Sequence, residues 1–272
     1  MLDTRTELLD GQELRVARLG GGYPLIMLHG YPENLQVYSQ LAPGLAAHHE
    51  VIAFDWPGMG YSAVWKGGAT PLIMADRLLA LMDKWGIEQA DIVGQDMGGQ
   101  PALVFAARYP ARVRSVVVMN ALITGDNDTS WEIKWLRKFG LNRLLMKYGA
   151  ALVFRRALST FLPHGYLLDK ALREDMWQVF RKRQVRDFIV RMCAGYEAQL
   201  HRLPDYYKQV TCPVLILWGA RDKHFPPAQA YSLKEMIPNA ELQIIDGGHW
   251  MVLANTAVVR DKMEAFYSTI SS

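Results

Sequence analysis

Ala90-Asp91-Ile92-Val93 runs directly into Gly94-Gln95-Asp96-Met97-Gly98-Gly99, and Pro101-Ala102-Leu103-Val104-Phe105-Ala106-Ala107 follows. An apolar strand pattern, a glycine-rich turn and a helical pattern stand in succession. In that context a Gly-x-nucleophile-x-Gly turn carries weight that the bare motif does not. Small residues flank its centre because the central backbone is strained and the helix passes close to the strand. The turn lifts one side chain clear of the sheet at a helix N-terminus, and that side chain is Asp96.

A carboxylate at this position narrows the chemistry. It is ionised at neutral pH and needs no base before it attacks. On an ester carbonyl it would form an anhydride. On a saturated carbon bearing an oxygen or halide leaving group it forms an ordinary ester, which activated water can hydrolyse. Epoxides and alkyl halides are therefore expected over esters and amides. The alternative is that Asp96 is an N-cap, where Asp is favoured and complements the helix dipole.

Partners for Asp96 are expected beyond the ends of later strands. Gly219-Ala220-Arg221-Asp222 follows the run that begins at Pro213, and Gly247-Gly248-His249 follows the last strand pattern. Loops past the carboxyl ends of parallel strands converge on one crevice. Asp96, Asp222 and His249 then share a space in the chain order nucleophile, acid, base, with His249 activating water and Asp222 orienting the imidazole. His29-Gly30-Tyr31-Pro32 also ends a central strand. The backbone N–H groups of Tyr31 and Met97 are the expected oxyanion hole.

The rest of the chain supplies a frame. Leu14–Arg18 alternates as a half-exposed strand, while Pro24–Leu28, Val51–Asp55 and Val113–Met119 read as buried strands. A helical pattern runs through Val37, Leu41 and Leu45, and another covers Thr70 to Trp85. From about Thr124 to Tyr207 only helical periodicity is found. Strand and helix then alternate again, through Pro213–Trp218, a helix near Pro227–Met236, strand Glu241–Ile245 and a helix from Thr256 to Ile270. The reading is an α/β chain with a helical lid inserted after the strand Val113–Met119, dividing into core 1–123, cap 124–208 and core 209–272.

The net charge of +3 is too small to imply a nucleic-acid partner. Residues 125–208 nonetheless carry 16 Lys and Arg against 9 Asp and Glu, a local +7 that leaves −4 elsewhere. Such a basic helical segment is a solvated face, or favours anionic or phenolic substrates at long range. Cys193 and Cys212 cannot build a disulfide framework and read as buried thiols of a reducing compartment. With no signal pattern at Met1–Arg5 and no apolar run near the ~18 residues of a membrane span, a cytoplasmic protein is expected. It would be a monomer or homodimer acting on a small hydrophobic molecule, without membrane, metal or cofactor.

These motifs, together with Asp55-x-Pro57-Gly58-x-Gly60-x-Ser62, resemble the α/β-hydrolase fold along the whole chain. With aspartate at the elbow the chain is similar to epoxide hydrolases and to haloalkane and haloacid dehalogenases. The resemblance implies a mostly parallel core sheet of eight strands under a helical cap inserted after the sixth strand. Haloalkane dehalogenases supply halide donors from Trp beside the nucleophile and often Asn after His-Gly, whereas this chain has Met97 and Tyr31. The fluoroacetate type carries Arg after the nucleophile and one turn on, where Met97 and Gln100-Pro101 stand here. Epoxide hydrolases use cap tyrosines as acids, and a phenol with a pKa near ~10 can protonate an incipient alkoxide. Tyr196 and Tyr148 stand near the places of the two donors, and Tyr166 is a further candidate. Trp131, Trp135, Trp177, Trp250, Phe139, Phe154 and Phe188 make the lid region aromatic, so that any lining the pocket favour a bulky substrate. An epoxide hydrolase leads. The rivals are a dehalogenase with unusual donors such as Trp250, a tailoring enzyme using Asp96 as acid or base, and a ligand-binding protein without turnover.

Overall fold

A computed structural model describes residues 1–125, 129–137 and 140–270, with only the backbone of 141 and 142; Phe139 lies outside the described residues. Eight strands form one sheet: β1 (Arg5–Leu9), β2 (Gln12–Gly20), β3 (Tyr23–Leu28), β4 (His49–Phe54), β5 (Ala90–Gln95), β6 (Val113–Met119), β7 (Val214–Gly219) and β8 (Glu241–Ile245). Their spatial order is β1-β2-β4-β3-β5-β6-β7-β8. β1 pairs antiparallel with β2, and β2 with β4. All later pairings are parallel. β5 and β7 are buried at every residue, as strands covered on both faces must be. β1 was not legible as a strand because its residues are mostly exposed and weakly patterned.

The helices are α1 (Ala42–Leu45), α2 (Pro71–Lys84), α3 (Gly99–Arg108), α4 (Trp131–Arg137), α5 (Leu141–Tyr148), α6 (Ala150–Phe161), α7 (Lys170–Phe180), α8 (Arg183–Gln199), α9 (Leu203–Tyr207), α10 (Ala228–Met236), α11 (Met251–Ala254) and α12 (Thr256–Ile270). α2 starts where Thr70 accepts the Ile73 N–H and Pro71 needs no partner. The continuous helix expected through Val37, Leu41 and Leu45 is instead a 3-10 turn at Leu35–Tyr38 and the short α1. Pro43 has no N–H to continue a helix from Ser39 and starts a new one. α4 to α9 fall between β6 and β7, with no strand among the described residues of that stretch. No described helix is long and apolar enough to cross a membrane.

The loop after β4 is tied into a knot behind the site. Asp55 accepts the N–H groups of Leu35 and Tyr61, its carbonyl takes the Ser62 hydroxyl, and Arg15 lies 3.6 Å from its carboxylate. Gly60 has φ +57, and a Cβ there would lie 1.9 Å from Asp55 Oδ2. The Asp-x-Pro-Gly-x-Gly-x-Ser spacing is therefore a structural clasp.

Candidate active site

Asp96 stands at the tip between β5 and α3 with φ +49, a left-handed conformation that non-glycine residues rarely adopt. Its neighbours are small because the backbone crowds them. A Cβ on Gly98 would lie 2.1 Å from the Leu28 carbonyl oxygen, and one on Gly30 would lie 2.4 Å from Asp96 Oδ2. The N-cap alternative does not describe what the carboxylate does. α3 has no side-chain cap bond, and Asp96 Oδ2 instead accepts the Tyr31 N–H at 2.7 Å from the loop after β3. The Met97 N–H, beside the same carboxylate, favours its charged form. His29 holds the Tyr31 loop in place: Nδ1 meets the Gly30 carbonyl at 2.9 Å, and Nε2 accepts the Trp56 N–H at 3.1 Å. Burial pushes the His29 pKa down to about 4, so this histidine is a neutral strut.

Asp222 and His249 arrive from the ends of β7 and β8. His249 Nδ1 lies 2.8 Å from Asp222 Oδ2, while Oδ1 of the same carboxylate takes the N–H groups of His224 and Phe225. Asn120, at φ +43 just past β6, ties both loops down. It accepts the Gly219 N–H and donates to the Gly248 and His249 carbonyls. Phe161 of α6 stacks edge-on against the imidazole, with centroids 4.4 Å apart. His249 Nε2 is buried with no hydrogen-bond partner among the described residues. One atom each of His249, Asp96 and Glu33 fall within 4.8 Å of one another.

Burial and charge tune these three groups against each other. Burial raises Asp96 to about 6, although His249 and the Tyr31 and Met97 N–H groups pull it back. Burial alone would lower His249, but the Asp222 carboxylate, with help from Asp96, lifts it to about 9. Glu33 was missed in the sequence. It accepts bonds from Gln95 Nε2 at 2.8 Å and from the Trp250 indole N–H, and burial plus the Asp96 charge raise it to about 8. At neutral pH it is an uncharged acid. Its only signal was an acidic residue directly after the His-Gly-Tyr-Pro turn. Ligand-type atoms of these three residues also stand close enough together to meet a single cation.

The three candidate tyrosines part company. Tyr196 of α8 is buried over the elbow, its hydroxyl donating to the Met97 carbonyl at 2.8 Å with Met74 Sδ at 3.0 Å. Tyr148 ends α5, is 73% exposed and carries Lys147 over its ring, so it is not in the site. Tyr166 donates to the Leu253 carbonyl at 2.9 Å and lines a separate surface recess, so it too is excluded. Distance along the chain does not fix how a helix is rotated, which is why spacing misplaced Tyr148, whereas Tyr166 lies in the loop between α6 and α7.

Asp96, Met97, Gln100, Cys193 and Tyr196 line a chamber of about 50 Å³. Through Tyr31, Ile133 and Leu136 it adjoins a second cavity of about 410 Å³ between α4, α5 and α6. Trp131 and Trp135 line that larger space while remaining partly exposed. Trp250 is fully buried, with its N–H committed to Glu33. Of the two free cysteines, Cys193 is buried and Cys212 half-buried.

Residues 23–256 match the family model for the alpha/beta hydrolase fold. The chain belongs to that family. A dihydrolipoyllysine-residue acetyltransferase component of an acetoin cleaving system from Pseudomonas putida is 28% identical to this α/β hydrolase over 268 residues, covering 94% of this chain and 67% of that one. A 2-hydroxymuconate semialdehyde hydrolase from Pseudomonas sp. (strain CF600) is 27% identical, with 88% of this chain and 84% of the relative covered. Among solved structures, a Pseudomonas aeruginosa protein provisionally described as an epoxide hydrolase aligns with a TM-score of 0.84 at 22% identity, over 99% of this chain and 96% of that one. At that identity the structural likeness speaks for the fold.

Proposed function

We propose that this α/β hydrolase opens a bulky hydrophobic epoxide through a covalent ester on Asp96 and releases a diol. The observation that carries the reading is the carboxylate at the elbow, held by the Tyr31 N–H beside an unpartnered His249 Nε2. A carboxylate oxygen attacks a ring carbon, the C–O bond breaks towards the ring oxygen, and that oxygen takes the Tyr196 proton as the hydroxyl turns from the adjacent Met97 carbonyl. Water then adds to the ester carbonyl while His249 accepts one of its protons. The tetrahedral oxyanion rests on the two backbone N–H groups. Collapse expels the second diol oxygen, which takes the proton from His249, and the proton left on the Asp96 carboxyl passes to His249 and restores its resting charge.

Esterification also switches the base on. Asp96 is one of the charges that hold His249 up at about 9, and forming the ester removes that charge. The imidazole then gives its proton to the Tyr196 oxygen left by ring opening, and stands neutral when water must be activated. The helical block from α4 to α9 serves as the lid, and its larger cavity takes the hydrophobic body of the substrate. A halide leaving group is less well served, because the Trp250 N–H is already committed and neither Trp131 nor Trp135 lines the chamber.

The test is intact-mass spectrometry of His249→Gln against epoxide and haloalkane panels. Addition of the whole epoxide mass is expected, and Asp96→Asn should show neither adduct nor turnover apart from slow recovery by deamidation. Halide release without diol formation would transfer the chain to the dehalogenases. Full activity in both variants would end the scheme.

A further inference from the structure

Gln100 opens α3 one turn beyond Asp96 and is 1% exposed. It lines the same chamber as Asp96, and its Nε2 has no hydrogen-bond partner among the described residues. A buried amide donor without a partner is costly, and the vacancy is filled when a ligand brings an acceptor. We infer that Gln100 is a specificity-determining residue, donating a hydrogen bond to a neutral oxygen on the carbon next to the epoxide. The inference rests on the reading above for the reacting group and names the class of substrate: an epoxide flanked by a hydroxyl, ether or carbonyl oxygen and carrying an apolar tail.

The charges around the chamber explain why the oxygen is neutral. Arg137 lines the chamber, but both Nε and Nη2 are engaged by the Glu197 carboxylate. Asp96 must itself be anionic to react. A carboxylate on the substrate would meet that charge with the guanidinium already matched. A neutral acceptor meets the amide without either penalty. The tail then passes Tyr31, Ile133 and Leu136 into the larger cavity.

The chain is tested with three epoxides on one phenyl scaffold: 3-phenylglycidol, the deoxygenated trans-β-methylstyrene oxide, and the anionic 3-phenylglycidate. The wild type is expected to favour the alcohol over the deoxygenated analogue by about ten- to a hundred-fold in kcat/KM, with the anion poorest. Gln100→Met, of similar length and lacking a donor, should bring the first ratio to within about threefold of one by lowering the alcohol. A wild type without preference, or a Gln100→Met protein that keeps it, overturns the inference. A second measurement needs neither turnover nor a folded variant. Tryptophan quenching of the wild type should show 3-phenylpropanamide binding at least about tenfold more tightly than butylbenzene, and equal binding overturns the role of Gln100. If that preference holds while no epoxide alkylates His249→Gln, the covalent reading fails and the amide-recognition site stands.

Discussion

Asp96 concentrates the cost of the site in one residue: a left-handed backbone, a desolvated carboxylate and glycines that cannot be enlarged. Gly98→Ala would drive a methyl into the Leu28 carbonyl, a backbone atom that has nowhere to go. Loss of roughly 3 kcal/mol or more in denaturant melts is expected, among the larger effects of single substitutions. The pH profile follows from the same carboxylate. Asp96 attacks only when ionised, and burial sets its pKa at about 6. Below that value kcat/KM should fall about tenfold per pH unit, and a profile flat down to pH 5 would show that some other group attacks. Asp96, Asp222 and His249 were legible because each stands just past an apolar strand, where the topology gathers loops. Glu33 and Gln100 were not, because a burial and a missing partner exist only once loop and helix are in place.

At the scale of elements, the parallel strands were legible and the arrangement of the helical block was not. Continuous apolar runs such as Ile92–Val93 and Val116–Val118 can be satisfied only between two covering layers, whereas α4 to α9 offer amphipathic faces that pack at several rotations. Tyr148 failed as a site residue for this reason, Tyr166 because it lies in the loop between α6 and α7, and β1 was missed because its exposed residues lack the period of two. Inside the block, Arg186 of α8 fixes one choice among these packings. Its buried guanidinium donates to the Met146 carbonyl of α5 at 2.6 Å and to the Phe180 carbonyl at the end of α7 at 2.9 Å. Arg186→Met keeps the apolar stem but leaves both carbonyls unmatched, at about 2 kcal/mol. Proteolysis should then cut between residues 140 and 182 first while the sheet persists, and turnover of bulky epoxides should fall more than that of small ones. Simultaneous loss of sheet and helices would show that the block does not open separately.

For the molecule as a whole, the buried titratable groups dictate how stability changes with pH. Below pH 6.5 they oppose one another. Asp55 and Asp96, both raised to about 6 by burial, hold protons that the unfolded chain has lost, so stability falls as pH rises. His29 and His224, pushed down to about 4 by burial, refuse protons that the unfolded chain accepts, so stability rises over much the same range. Two further groups are raised with no opposing partner. Glu33 keeps its proton to about 8 in the folded state against 4.5 as a free group, and its contribution declines until that point. His249 is raised from 6.5 to about 9, so its contribution is complete below pH 6.5 and is lost as pH passes through 9. Roughly one and a half more protons are therefore bound by the native state between pH 6.5 and 8. Each changes stability by about 1.4 kcal/mol per pH unit, and at about 2 °C per kcal/mol the Tm should drop by roughly 5–10 °C across that window. Glu33→Gln, which keeps an acceptor for Trp250 and Gln95 without a titrating proton, should remove about half of the slope, and His249→Gln the other half. A wild-type Tm constant from pH 6.5 to 8 would mean that neither proton is held against solvent, and that the chamber beside Asp96 is wetter than its packing implies.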